Sequence, residues 1–126
     1  MEVITHENIA AFDVDDTLVM WDSQFERQDF PYDPELRTKV PITDPYDGSV
    51  NYLKPHRKHI NLLKKYKGRG MLVVVWSAAG YKWAEAVVKA LGIEEYVDYI
   101  LTKPTKLIDD LTPNEVFGTR IYLKDE

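Results

Sequence analysis

Apolar residues along this chain occur in short runs that are separated by stretches of helical spacing. Ile9 to Phe12 and Met71 to Trp76 are continuously apolar, which is typical of strands that are buried on both faces of a parallel sheet. Val97 to Leu101 predicts a third strand, and Leu107-Ile108 and Ile121 to Leu123 predict a brief fourth and a fifth. Strands of this kind, alternating with helices, indicate an α/β fold with a parallel sheet flanked by helices.

Two stretches show the periodicity of amphipathic helices. The first begins at Pro55 and runs to about Lys67, where Gly68 is the predicted stop, and its core-facing stripe is His59, Leu62, Leu63 and Tyr66. The second precedes Gly92, its predicted C-terminal stop, and its stripe is Tyr81, Ala84, Val88 and Leu91. The basic residues of the first helix favour a solvated face over a nucleic-acid contact.

Residues 19 to 54 lack sustained helical spacing and contain four of the seven prolines, so we predict an insertion that lies outside the core. Lys39 to Ile42 and Ser49 to Leu53 can pair as a hairpin, with Pro41 on an edge strand. The aromatic residues of the insertion indicate either a flap near a site or anchors to the core: Trp21, Phe25, Phe30, Tyr32 and Tyr46.

Length and composition narrow the class of protein. The 126 residues suit one domain with one core, and a net charge of -5 argues against broad adhesion to nucleic acid or anionic membrane. The chain has no cysteine, which excludes disulfides and thiolate metal sites, and it has no apolar run long enough to span a bilayer. We therefore expect a cytoplasmic protein with no membrane partner.

Polar residues that can carry chemistry follow each of the first strands. Asp13-Val14-Asp15-Asp16-Thr17 comes directly after the first apolar run, Ser77 after the second, Lys103 after the third, and Asp109-Asp110 after the fourth. Ligands bind at the carboxyl ends of strands in open α/β sheets. Each signal alone has a structural alternative: a turn for either acidic group, a helix N-cap for Ser77 and solvated surface for Lys103.

Together, in this order, the four signals resemble the haloacid dehalogenase superfamily of phosphotransferases. The resemblance implies a Rossmann-like sheet over residues 1–126, with residues 19–54 as a flap or minimal cap. It implies that Asp13 is a nucleophile that forms an aspartyl-phosphate, that Asp15 is a general acid and base, and that Thr17, Ser77 and Lys103 complete the catalytic set. The implied cofactor is Mg²⁺, held by Asp13, Asp15, Asp109 and Asp110. Lys106 competes with Lys103.

The resemblance implies a phosphomonoester hydrolase, and the expected substrate is a small phosphomonoester such as a nucleotide or sugar phosphate. A polynucleotide end is the alternative substrate, which the basic first helix favours and the net charge disfavours. A receiver-like phospho-accepting domain also combines these residue types, but there the metal-binding acidic pair precedes the acceptor aspartate. A catalytically inactive binding module on the same fold ranks low because every expected residue type is present.

Overall fold

The computed structural model describes residues 1–21 and 39–118. In chain order, the elements within these residues are β1 (Ile9–Asp13), β2 (Val19–Met20), β3 (Val40–Thr43), β4 (Val50–Pro55), α1 (Arg57–Gly68), β5 (Leu72–Ser77), α2 (Tyr81–Leu91), a 3₁₀ turn (Glu94–Tyr96), β6 (Tyr99–Thr102) and α3 (Pro113–Val116).

A three-stranded parallel sheet in the order β1-β5-β6 forms the centre of the described fold. The central strand β5 is the most apolar, and its four residues from Leu72 to Val75 are all buried. In register, Asp13 at the end of β1 lies opposite Trp76, and Ser77 at the end of β5 lies opposite Thr102. The protein is therefore a small α/β protein whose layout is consistent with a Rossmann-like arrangement, and its strand ends meet at one edge.

The predicted hairpin is confirmed as β3 and β4, and Pro41 does lie on an edge strand, because the second sheet has the order β2-β4-β3. The prediction that this insertion lies outside the core is wrong. Val19 and Met20 are fully buried, and Ile42 and Leu53 are each 2% exposed. Pairing of β4 with both neighbours turns these side chains inward, so that Val19, Ile42 and Leu53 join the main core.

The two predicted helices are present, with corrections at particular residues. Pro55 does not begin α1, because it ends β4 opposite Val19 and the N-cap is His56. Tyr81 in α2 is 52% exposed, whereas Ala84 and Val88 of the predicted stripe are buried, together with Trp83 and Val87. Gly92 ends α2 as predicted, in the left-handed conformation that suits glycine.

The predicted fourth strand is wrong. Leu107 is 58% exposed, Ile108 is 92% exposed, and the described segment between β6 and α3 has no strand. Ile121 to Leu123, like Phe25, Phe30 and Tyr32, lies outside the described residues. Among the helices of the described ranges, none is long and apolar enough to cross a membrane.

Candidate active site

Two buried residues anchor the loop after β1 in the core. Val14 and Leu18 are fully buried, and the N–H of Leu18 donates to the Val14 carbonyl at 2.9 Å. Asp16 has a φ of 59°, a left-handed conformation that Asp adopts more readily than most residues. Asp13, Asp15 and Thr17 are only partly buried.

Asp13 receives one polar group on each carboxylate oxygen. The Thr17 hydroxyl lies 3.4 Å from Oδ2, and the Lys103 ammonium, which follows β6, lies 3.4 Å from Oδ1. The side chains of Lys103 and Asp13 are 43% and 34% exposed, so this ion pair remains open to solvent and to a ligand. Lys106 is exposed, and its ammonium makes no ion pair with a described carboxylate. Lys103 is thus the lysine that the fold brings to Asp13.

Ser77 ends β5 and is fully buried. Its Oγ accepts the N–H of Ala79 at 3.1 Å, which leaves the hydroxyl hydrogen for donation. Its carbonyl accepts the backbone N–H of Lys103 at 2.9 Å, which joins the ends of β5 and β6. The alternative that Ser77 is a plain N-cap is wrong, because the N-cap of α2 is Gly80.

The Asp15 carboxylate lies between two tryptophans. The indole N–H of Trp21 donates to Oδ1 at 3.1 Å, and that of Trp83 donates to the same oxygen at 3.0 Å. The two ring systems have centroids 6.4 Å apart. Sequence reasoning missed Trp83: its helical spacing could have indicated burial, but no sequence signal pairs its indole nitrogen with Asp15.

His59 of α1 holds the loop after β1 through a contact with the Thr17 backbone. Its Nδ1 lies 2.7 Å from the Thr17 carbonyl oxygen, and because a carbonyl only accepts, Nδ1 carries the proton. The backbone N–H of His59 donates to Nδ1 of His56 at 3.1 Å, and the two rings stack with centroids 3.8 Å apart. The sequence alone predicts no chemistry for either histidine. A histidine within an apolar helical stripe indicates a buried side chain that needs a hydrogen-bond partner in the core.

The second acidic pair does not reach this site as an assembled metal centre. Asp109 and Asp110 are exposed, and Asp109 Oδ1 accepts the N–H of Leu111 at 2.8 Å, as its turn alternative predicts. The segment that carries this pair has no strand among the described residues. Across residues 1–21 and 39–118, no three His, Asp or Glu side chains come together in a way that could hold a metal ion. The oxygens of Asp13 and Asp15 nevertheless suit Mg²⁺ by donor type.

Comparison with known proteins adds no relative: no family model matches the chain, and neither a curated protein nor a solved structure is significantly similar to it.

Proposed function

We propose that this protein is a magnesium-dependent phosphomonoester hydrolase that acts through an aspartyl-phosphate on Asp13. The observation that carries the proposal is the Asp13 carboxylate, with the Lys103 ammonium 3.4 Å from one oxygen and the Thr17 hydroxyl 3.4 Å from the other. A carboxylate at the end of a parallel strand, with a cation beside it, can attack a phosphoryl group whose negative charge that cation also attracts.

The first half of the proposed reaction transfers the phosphoryl group to the enzyme. An Asp13 oxygen forms a bond to phosphorus as the bond from phosphorus to the leaving oxygen breaks. Asp15 gives its proton to that leaving oxygen, so that an alcohol departs. Both indole N–H groups bond to Oδ1 of Asp15, which leaves Oδ2 to carry the proton.

In the second half, Asp15 accepts a proton from water as the water oxygen attacks phosphorus. The bond between phosphorus and Asp13 breaks. Inorganic phosphate is released, and the Asp13 carboxylate is regenerated. Lys103 stabilises the phosphoryl oxygens in both halves by its charge, and the buried Ser77, whose carbonyl accepts the Lys103 N–H, positions that lysine. The Asp13 carboxylate and the Asp15 backbone carbonyl would hold Mg²⁺, with Asp109 and Asp110 as the further ligands that the resemblance implies, and the ion would supply further neutralisation of the phosphate charge.

The proposal also assigns the parallel sheet to a Rossmann-like fold of the haloacid dehalogenase superfamily, with the β3–β4 hairpin as part of a minimal cap and the cytoplasm as location. Its support is the order of Asp13, Ser77 and Lys103 at the ends of β1, β5 and β6.

Phosphate release from phenyl phosphate, with Mg²⁺ and with a chelator, tests the proposal. Asp13→Asn keeps the shape of the side chain but removes the nucleophile, so we expect activity to fall to the uncatalysed background. Glu85→Gln is the matched control, because it removes an exposed carboxylate whose partner is Lys89 on the same helix. Borohydride trapping gives a second readout: it reduces an acyl phosphate at Asp13 to an alcohol that mass spectrometry can locate. Near-normal turnover by Asp13→Asn would refute the covalent mechanism.

A further inference from the structure

A cavity of about 340 Å³ opens beside Asp15, between the loop after β1, the first turn of α2 and the turn of the β3–β4 hairpin. Three aromatic side chains contribute to its wall: Trp21, Trp83 and Tyr46. Because the proposed general acid lies in this wall, the cavity is where a leaving group would sit while Asp15 protonates its oxygen. Aromatic faces can pack against one flat or apolar face of such a group.

The charged residues of the wall are all acidic. Asp44 and Asp47 of the hairpin turn line the cavity together with Asp15, and no lysine or arginine of the described residues does. The Lys82 ammonium lies 6.0 Å from the centre of the Tyr46 ring, but Lys82 is not part of the wall.

The turn geometry holds the two hairpin carboxylates in place. Asp44 Oδ1 accepts the Tyr46 N–H at 2.8 Å. Asp47 Oδ1 accepts both the Ser49 hydroxyl at 2.7 Å and the Ser49 N–H at 2.8 Å. The Ser49 hydroxyl and then its N–H lower the pKa of the Asp47 carboxyl below its ordinary value. In both aspartates these hydrogen bonds engage Oδ1, and Oδ2 remains available to accept a hydrogen bond from a ligand.

We propose that this cavity selects the leaving group of the substrate by charge: it accepts an uncharged or cationic group rich in hydrogen-bond donors and rejects one that carries a second anion. The inference rests on the proposed function for the identity of the phosphate-bearing end. Carboxylate acceptors suit hydroxyl and ammonium donors, whereas a second phosphate or carboxylate meets like charge at short range. The preferred substrates are therefore small sugar or amino-sugar phosphates, and a polynucleotide end, with its chain of phosphates, is disfavoured.

Equilibrium binding tests the charge preference without turnover. Glucosamine 6-phosphate, glucose 6-phosphate and 6-phosphogluconate share a six-carbon skeleton and carry, respectively, a cation, no further charge and a carboxylate. Binding to Asp13→Asn can be followed by tryptophan fluorescence, because two of the three tryptophans line the cavity. At low ionic strength we expect the cationic ester to bind at least about tenfold more tightly than the anionic one, because screening is weakest there.

Removal of the hairpin charges tests whether Asp44 and Asp47 cause the charge preference. In the Asp44→Asn/Asp47→Asn variant, the amide oxygens can still accept the turn hydrogen bonds, and we expect the cationic-to-anionic affinity ratio to fall toward one. Glu85→Gln/Glu94→Gln, which removes two exposed carboxylates outside the cavity wall, should keep the wild-type ratio. A ratio near one in the starting protein, or an equal fall in both double variants, would overturn the inference.

Phenyl phosphate hydrolysis by the wild-type protein is measured in parallel. If charge-selective binding occurs without hydrolysis, the proposed function fails and the cavity assignment stands. If hydrolysis occurs without charge-selective binding, the proposed function stands and the cavity assignment fails. Tighter binding of a phosphate-terminated oligonucleotide than of its mononucleotide would also overturn the inference in favour of a polymer substrate.

Discussion

Trp83 donates its indole N–H to the Asp15 carboxylate at 3.0 Å, although 68 positions separate the two residues in the chain. The tryptophan is 3% exposed, so the core of α2 fixes the orientation of a carboxylate at the edge of the parallel sheet. Trp21, which follows β2, donates its indole N–H to the same oxygen. The position of the proposed general acid is thus set by a helix that contributes no other group to the proposed chemistry.

Trp83→Phe keeps most of the buried ring and removes the donor. We expect a loss of about 0.5–1.5 kcal/mol in the free energy of unfolding, because a hydrogen bond to the Asp15 carboxyl group is lost from the core side of the site. Urea denaturation measures the loss. A double-mutant cycle with Asp15→Ala isolates the pair, and a coupling energy near zero would mean that the loss reflects packing alone.

Asp15→Asn should reduce kcat for alkyl phosphates by about a hundredfold or more and affect nitrophenyl phosphate much less. An alkoxide leaving group needs protonation and a nitrophenolate scarcely does, while general acid catalysis typically contributes about 10²–10⁴-fold. Steady-state kinetics with both substrates gives the comparison. Equal losses on the two substrates would assign Asp15 to structure or metal binding instead.

Lys103→Ala should lower kcat by about a hundredfold or more, because its ammonium lies 3.4 Å from Asp13, the proposed nucleophile, and would stabilise the transferring phosphoryl group. Lys106→Ala removes an equal charge three positions along the chain and provides the control, for which kcat should stay close to wild type. If Lys106→Ala caused the larger loss, the two assignments would be exchanged.

Asp98 lies between the 3₁₀ turn and β6, and its carboxylate contacts residues of α1 and β5. The Lys67 ammonium lies 2.6 Å from its Oδ1, and the Val73 N–H donates to its Oδ2 at 2.8 Å. Partial burial, the largest single influence, raises the pKa of the Asp98 carboxyl, but the hydrogen bonds from Lys67 and Val73 and the Lys67 charge together bring it below the ordinary value of 3.8.

Because the pKa of Asp98 is lower in the folded state, its contribution to stability is complete above the unfolded pKa and is lost as the pH falls through the folded pKa. We expect Asp98→Asn to cost about 1 kcal/mol at pH 7, since the pair is partly exposed. The difference from wild type in urea denaturation should stay constant down to about pH 5 and shrink below pH 4. A difference that grows on acidification would contradict the assignment.

The parts of the fold that sequence predicts are those with a strong local cause. The continuous apolar run of β5 indicates a strand covered on both faces, and all four residues from Leu72 to Val75 are buried. The hairpin turn from Asp44 to Gly48 is likewise local: Asp44 caps the Tyr46 N–H, and Gly48 adopts a φ of 77°. Turn chemistry and periodicity act over a few residues, so one sequence carries them in full.

What sequence does not predict depends on partners far along the chain. Leu107 and Ile108 form too short an apolar pair to distinguish a strand from an exposed loop, and the structure exposes both. The contacts of Trp83 with Asp15 and of His59 with Thr17 join elements whose mutual placement only the folded chain defines. Lys103 could be ranked above Lys106 from its position after the third apolar run, but its proximity to Asp13 depends on the pairing of β6 with β5.

Gly80 is the position where the hairpin turn rests on the loop after β5. Its φ of 111° is strained for any residue with a side chain, and a methyl group there would overlap the hydroxyl oxygen of Tyr46. We therefore expect Gly80→Ala to cost roughly 1–3 kcal/mol in urea denaturation from backbone strain, with a further steric share.

Tyr46→Phe removes the overlapped oxygen and separates these two contributions. In the Gly80→Ala/Tyr46→Phe variant, the steric share should be relieved and the strain should persist, which gives a coupling energy of at least about 0.5 kcal/mol. Gly92→Ala supplies the control, because that glycine has a φ of 67° with no atom within 4 Å of an added methyl group, so Tyr46→Phe should not relieve its cost. Simple additivity of Gly80→Ala and Tyr46→Phe would mean that Tyr46 moves aside freely and that the hairpin turn is not held against this loop.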